Sequence, residues 1–219
     1  DFLAAAAAAG AAAAMVDTRW LGTPPLPLLV VEDTRLALGS LASAWRAHFA
    51  LPLIGITGSN GKTTVKEMCA AILRAQARRE GFCDESVLAT QGNLNNDIGL
   101  PLTLLGLRDF HRAAVIEMGM NQPGEIAYLT GLAQPTVAIV NNAQRAHLQG
   151  MGTLDEVAQE KGAIYGGLGT AGAAVINADD PHADGWRRLN DGRRIVTFGI
   201  DRAADVRGQA TLRGLGSRL

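Results

Sequence analysis

A chain of 219 residues that is 47% apolar but only 5% aromatic can bury one full core of aliphatic side chains and part of another. Twenty basic against 21 acidic residues give no net field to steer it toward nucleic acid or an anionic membrane. The two cysteines, Cys69 and Cys83, are too few for a disulfide framework and fit a reducing compartment.

Ala4 to Ala14 is alanine broken only by Gly10. No basic residues precede it, so it lacks the positive flank of a secretory signal, and it is too short and too weakly apolar to span a membrane. A packed alanine-rich helix is expected. A strand is expected to begin near Ala13 to Val16, and Thr23 to Pro27 reads as a proline-rich link to a buried strand at Leu26 to Val31. Asp33 or Thr34 then caps a helix to about Phe49, with Leu36, Leu38, Leu41, Ala44, Trp45 and Phe49 inward. Pro52 breaks the pattern, and a domain boundary is expected near residue 50, dividing the chain into 1–50 and 51–219.

The next stretch is the centre of the sequence. An apolar run from Leu53 ends in Gly55-Ile-Thr-Gly-Ser-Asn-Gly-Lys-Thr-Thr64 and leads into a helical pattern. That is the strand–loop–helix layout of a phosphate-binding loop, in the compact Gly-x-x-Gly-Lys-Thr spacing. Glycines let amides close on phosphate oxygens, Lys62 adds a cation, and Thr63 offers a hydroxyl to Mg²⁺. The helix, Thr63 to about Arg79, places Val65, Met68, Cys69, Ile72, Leu73 and Gln76 on one stripe, which makes Cys69 core rather than nucleophile.

Beyond it, Val87 to Ala89 reads as a strand, Gln91 to Asn96 as a polar turn, and Leu100 to Leu107 as an apolar segment. Strands follow at Ala113 to Ile116, Val137 to Val140, Ala173 to Ile176 and Ile195 to Phe198, with helices at Pro123 to Ala133 and Thr153 to Leu168. Short unalternating strands separated by helices predict an α/β fold, a mostly parallel sheet with helices on both faces.

Polar residues concentrate at the carboxyl ends of these strands, where open parallel sheets bind ligands. Glu117 ends one, Asn141 and Asn142 another, and Asn177, Asp179 and Asp180 a third. A carboxylate so close to a buried strand must be paired, protonated or bound to a cation. In the helix Thr153 to Leu168, Thr153 and Glu156 form a capping box that fixes the register. The inward stripe is then Leu154, Val157, Ala158, Lys161, Ile164, Tyr165 and Leu168. Lys161 on that stripe either snorkels to the surface or points into the site. His147 reads equally as a surface residue or a ligand.

These residues, in this order, resemble the Mur ligases, ATP-dependent amide-forming enzymes of peptidoglycan precursor synthesis. The resemblance is carried by residues 55–64, by the Thr-Gln-Gly-Asn-Leu-Asn-Asn-Asp-Ile-Gly-Leu-Pro-Leu-Thr-Leu-Leu run at 90–105, and by Glu-Met-Gly-Met at 117–120. Residues 140–148, Glu-Lys-Gly at 160–162 and Asn-Ala-Asp-Asp at 177–180 complete it. The asparagine-rich run is similar to the branch whose substrates are UDP-N-acetylmuramoyl-tripeptide and D-alanyl-D-alanine. A sibling ligase or a folylpolyglutamate synthase relative is the alternative, as is a non-catalytic nucleotide-binding module.

The resemblance implies ATP and two Mg²⁺ ions as cofactors and a monomeric cytoplasmic enzyme. It implies that Gly58, Ser59, Asn60, Gly61, Lys62, Thr63 and Thr64 hold the ATP phosphates, and that Thr63 and Glu117 hold one Mg²⁺. It implies that His147 and a carbamylated Lys161 serve a second Mg²⁺, and that Lys62, His147 and Lys161 are catalytic. Thr90, Asn93, Asn95 and Asn96 match the segment facing the UDP-muramoyl substrate. Gln149 and Ala163 depart from the family's usual Glu at those positions. By the same resemblance, residues 1–50 are the end of an N-terminal UDP-substrate domain and 51–219 an incomplete ATP-binding domain, with a C-terminal ligase domain beyond.

Overall fold

A computed structural model describes residues 2–144 and 152–209, with the backbone of 211–213 and 216–218. Seven parallel strands form its sheet: β3 (Leu53–Thr57), β4 (Val87–Ala89), β5 (Ala113–Glu117), β6 (Val137–Val140), β7 (Ala173–Asn177), β8 (Arg194–Gly199) and β9 (Val206–Arg207). Their order is β4-β5-β3-β6-β7-β8-β9. From β3 the chain moves outward to the β4 edge, returns through β5, then crosses to β6 on the other side. The carboxyl end of β3 is therefore a switch point, where a crevice opens. A separate parallel pair, β1 (Ala14–Asp17) and β2 (Leu28–Val31), lies outside this sheet, and β10 (Thr211–Arg213) with β11 (Gly216–Arg218) forms an antiparallel pair.

Helices cover both faces, as the strand spacing predicts. On one face α2 (Thr34–Arg46), α4 (Gly99–Leu105), α5 (Glu125–Ala133), α6 (Leu154–Gly162) and α7 (Ala183–Leu189) share a core that includes Leu53, Leu104, Ile116, Leu129, Ile164 and Trp186. On the other, α3 (Lys62–Arg79) packs Ala70 against Ile56, Val115 and Ile139.

Several elements differ from their expected form. The alanine run yields only a short helix, α1 (Leu3–Ala8), in which Leu3 alone is buried. β2, expected to be a buried strand, leaves Leu29 and Val30 exposed. The inward faces of α2 and α3 match the expected ones only in part: Val65, Cys69 and Leu73 of α3 and Phe49 just beyond α2 pack on the core as expected. α2 buries Gly39, Ala42 and Arg46 while Leu36 and Leu41 face outward, and α3 buries Lys66, Ala70 and Ala77 while Met68 and Ile72 face outward. Close approach explains α2. A Cβ on Gly39 would lie 2.1 Å from the Tyr128 hydroxyl, so α2 rests on α5 through its smallest residues. Helix α7 was not expected at all. The stripe of α6 is as expected, with the Thr153–Glu156 capping box formed and Val157, Ala158, Lys161, Ile164, Tyr165 and Leu168 buried, the last three in the turn that follows.

Helix α5 is held at both poles by buried charge. At its N-terminus the Glu160 carboxylate accepts from the Gly124 N–H at 2.9 Å and the Ile126 N–H at 2.8 Å. At its C-terminus the Arg46 guanidinium donates to the carbonyls of Ala133 at 3.0 Å and Gln134 at 3.3 Å. Anion at the positive end and cation at the negative end suit the helix dipole. Arg46 also donates to the Phe49 carbonyl, so its removal strands several buried acceptors at once. Arg46→Met is expected to lower the thermal midpoint by roughly 4–8 °C, or about 2 kcal/mol, measured by differential scanning calorimetry.

Candidate functional site

The switch point is built around the ends of β3, β5 and β6. β3 ends at Thr57, whose hydroxyl donates to the Met118 carbonyl at 3.0 Å and fixes β3 against the end of β5. The chain then turns through Gly58 to Gly61. Gly61 caps α3 with φ of +74°, a conformation costly for any residue with a Cβ. Its own N–H and those of Lys62, Thr63 and Thr64 have no carbonyl within the helix, and the first intrahelical bond is made by Val65. These amides and the helix dipole give the loop its positive potential.

The asparagines that end β6 brace this loop from behind. The Asn142 carbonyl accepts from the Ser59 N–H and its side chain from the Asn60 N–H, each at 3.0 Å. The Asn60 carbonyl accepts from Asn141 Nδ2 at 2.8 Å. Asn177 Nδ2, from the end of β7, donates to the Asn141 carbonyl at 2.9 Å. Ser59 and Asn60 thus spend their amides on the scaffold, which leaves the first turn of α3 as the anion-facing set. Lys62 curls back so that Nζ donates to the Gly58 carbonyl at 2.9 Å. Burial pulls the Lys62 ammonium below its usual range, and the neighbouring Glu117 partly offsets this.

Glu117 ends β5 almost completely buried, at 2% exposure. Its carboxylate is paired through hydrogen bonds. Oε2 accepts from Thr63 Oγ1 at 2.9 Å and Oε1 from Asn95 Nδ2 at 2.8 Å. Its N–H donates to Thr90 Oγ1 at 2.9 Å. The structure therefore brings together Thr63, Glu117 and Asn95 from three separate segments of sequence. A cavity of about 110 Å³ opens beside them, lined by Lys62, Asn95, Asn96, Gly119, Asn121 and Glu125 among others. A larger cavity, about 720 Å³, runs along the open edge of β4 and includes none of Lys62, Glu117 or Lys161.

Other expected residues play different parts. Thr90 is buried beneath the site and supports Glu117 from inside. Asn96 Oδ1 accepts from the Gly99 N–H at 2.8 Å at the start of α4, and Asn93 is exposed. Asp179 and Asp180 anchor backbone: Asp179 accepts from the amides of Ile200, Asp201 and Arg202, and Asp180 from those of Ala143 and His182. His147 lies outside the described residues. Lys66 and Glu160, both buried and both near the site, were not singled out from sequence; each sits next to a residue that was, Glu160 beside Lys161 and Lys66 one turn beyond Lys62.

Lys161 is 1% exposed, which rules out snorkelling, and Trp186 packs its helix from behind by donating to the Ala158 carbonyl at 3.0 Å. Among the described residues its ammonium has no hydrogen-bond partner. Burial above all, then the charge of Lys62, lowers it to about 8, with Glu160 opposing.

As donors for a divalent cation, the Thr63 hydroxyl and Glu117 carboxylate are hard oxygens 2.9 Å apart. No group of three or more His, Cys, Asp or Glu side chains suited to a metal occurs among the described residues. Two oxygens fit Mg²⁺, which usually takes one or two carboxylates and completes its shell with water and phosphate.

An all-parallel sheet with a glycine-rich loop, a lysine and a buried carboxylate at its switch point defines an α/β domain of the phosphate-binding-loop class. Residues 56–215 match the family model described as the Mur ligase middle domain, and the chain belongs to the Mur ligase family. It is 50% identical over 173 residues to the UDP-N-acetylmuramoyl-tripeptide–D-alanyl-D-alanine ligase of Haemophilus influenzae, an alignment covering 79% of this chain and 37% of that protein. A crystal structure of MurF from Acinetobacter baumannii superposes with a TM-score of 0.84 at 39% identity, covering 96% of this chain and 44% of that one. The Thermotoga maritima MurF ligase in complex with ADP gives 0.81 at 30% identity, covering 99% and 48%. The chain thus spans less than half the length of each.

The depressed Lys161 carries a stability signature. An amine whose folded value is near 8 against 10.5 unfolded binds fewer protons folded than unfolded between those limits, so stability rises with pH across that window. Lys161→Met removes this dependence. In carbon dioxide-free buffer the thermal midpoint of Lys161→Met is expected to exceed that of the unsubstituted protein most at pH 7, the gap narrowing from pH 8 to pH 10.

Proposed function

We propose that the protein carrying this chain is an ATP-dependent ligase that joins D-alanyl-D-alanine to UDP-N-acetylmuramoyl-tripeptide in peptidoglycan precursor synthesis. The observation that carries this reading is the 2.8 Å bond from Asn95 to Glu117. It sets the asparagine run that marks this branch of the family directly beside the phosphate loop. Residues 1–50 would then close an N-terminal UDP-substrate domain, and 51–219 would form most of the ATP-binding domain. The enzyme acts as a monomer in the cytoplasm, where ATP and UDP-sugars are found; its described part contains no helix long and apolar enough to cross a membrane.

In this reading the terminal carboxylate of the tripeptide attacks the γ-phosphorus of ATP, forming an acyl phosphate and ADP. The D-alanyl-D-alanine amine then adds to the acyl carbon, and the tetrahedral intermediate collapses with release of phosphate and a proton. The physical difficulty is bringing anions together, so fixed cations and dipoles do most of the work. The α3 amides and Lys62 bind and orient the phosphates. Thr63 and Glu117 would hold one Mg²⁺, with His147 and carbamylated Lys161 at a second. Magnesium bound there supplies positive charge between the reacting anions. Asn95 holds the Glu117 carboxylate in place, while Asn93 and Asn96 face the muramoyl side of the cleft. At a value near 8, a share of Lys161 is the neutral amine that adds carbon dioxide and releases a proton to solvent, leaving an anionic carbamate where the cation stood.

The test is substrate dependence in the full-length protein. Phosphate release is expected to require both UDP-N-acetylmuramoyl-tripeptide and D-alanyl-D-alanine; turnover with another amino acid and none with D-alanyl-D-alanine would overturn the assignment. The isolated 219-residue chain is expected to give no D-alanyl-D-alanine-dependent phosphate release. Lys161→Ala in the full-length enzyme is expected to cost about 100-fold or more, with partial recovery on adding small carboxylic acids. An unchanged rate removes Lys161 from the mechanism.

A further inference from the structure

We propose that Lys66 is a positioning residue for Glu117, acting through Thr90, and that it fixes where the asparagine run leaves the sheet. This rests on reading Thr63 and Glu117 as the nucleotide–metal end of the site. β4 and β5 run parallel with Ala89 beside Val115, and the Thr90 N–H donates to the Val115 carbonyl at 3.0 Å. In a regular parallel ladder the next rung carries the Glu117 N–H to the Thr90 carbonyl. Here that rung is replaced. The Glu117 N–H goes instead to Thr90 Oγ1 at 2.9 Å, and the displaced carbonyl accepts from Lys66 Nζ at 2.7 Å.

Lys66 lies one turn beyond Lys62 on α3 and is 1% exposed. Its other partner is the Glu67 carboxylate at 2.7 Å. A buried ammonium is costly unless paired, so lysine and diverted carbonyl hold each other in place. With the carbonyl turned toward α3, the chain departs from β4 at Thr90 and folds across the end of β5. There the Asn95 carbonyl accepts from the Gly119 N–H at 2.8 Å and Asn95 Nδ2 donates to Glu117. An apolar side chain at position 66 lets the regular rung re-form, frees the Thr90 hydroxyl, and loosens Glu117 and Asn95 relative to Thr63.

The test measures binding of ADP, with and without Mg²⁺, to the full-length protein by calorimetry, with no other substrate present. Lys66→Met and Thr90→Val are each expected to weaken binding about 10-fold in Mg²⁺, and the double variant no further than the worse single, because both act through one bond. Thr90→Ser, which keeps the hydroxyl, is expected to bind as the unsubstituted protein does. Without Mg²⁺ all variants are expected to agree within about twofold, since the effect runs through Glu117. Unchanged affinity in Mg²⁺ with a lowered thermal midpoint makes Lys66 purely structural and overturns the proposal; so do penalties that multiply in the double variant. Should Lys66→Met fail to fold, the Thr90→Val and Thr90→Ser pair decides, and equal affinities for the two overturn it. Ligase turnover is assayed separately on the unsubstituted protein. Its absence beside the expected binding pattern sinks the substrate reading and supports this one.

Discussion

One carboxylate organises the site. Glu117 finishes a strand buried along its whole length, at a depth where an unpaired anion would be very costly. Three groups answer it: the Thr63 hydroxyl from α3, the Asn95 amide from the asparagine run, and the Thr90 hydroxyl on its backbone N–H. Two of them serve the carboxylate and the third its backbone, so fixing one buried residue brings the phosphate loop and the 90–105 run into register at the end of β5. The parallel sheet provides the depth, and the carboxylate turns that depth into a fixed arrangement of donors.

The same economy governs α5 and α6. Glu160 and Lys161 are neighbours in sequence, yet both are buried. The Glu160 carboxylate holds the N-terminus of α5, while Arg46 from α2 holds its C-terminus. The helix that supplies Lys161 is therefore tied into the helical layer by its own adjacent residue, and pinned from behind by Trp186.

Much of this was legible in sequence, for identifiable reasons. Parallel strands buried on both faces are apolar throughout, so β3, β5, β6, β7 and β8 stand out, and functional polar residues at their ends stand out by contrast. The capping box fixed the phase of α6 and with it the inward position of Lys161. The outward placement of Leu36 and Leu41 on α2 and of Met68 and Ile72 on α3 was not legible, because large apolar residues at helical spacing suggest the inward stripe. Close helix contacts select the smallest instead, such as Gly39 and Ala42 on α2 and Ala70 and Ala77 on α3. Lys66 and Arg46 escaped notice for a related reason. A charged residue in a helix reads as surface until the carbonyls it serves are known, and those belong to distant segments. Thr90 reads as a substrate contact because it adjoins the asparagine run; that it is buried with its hydroxyl on the Glu117 N–H is a feature of ladder geometry that composition cannot reveal.

The electrostatics of the assembled site show what it is prepared for. Lys62 and Lys161 are close enough that the charge of one lowers the other, and burial lowers both. Glu117 and Glu160 compensate only in part. Glu117 is already engaged by hydrogen-bond donors and Glu160 by the amides of α5. The amides at the start of α3 add positive potential in surroundings where solvent screens poorly. An anion that accepts from them would meet Lys62 as well, already braced on the Gly58 carbonyl, and a site whose donors are held in rigid side chains need not reorganise when such a ligand arrives.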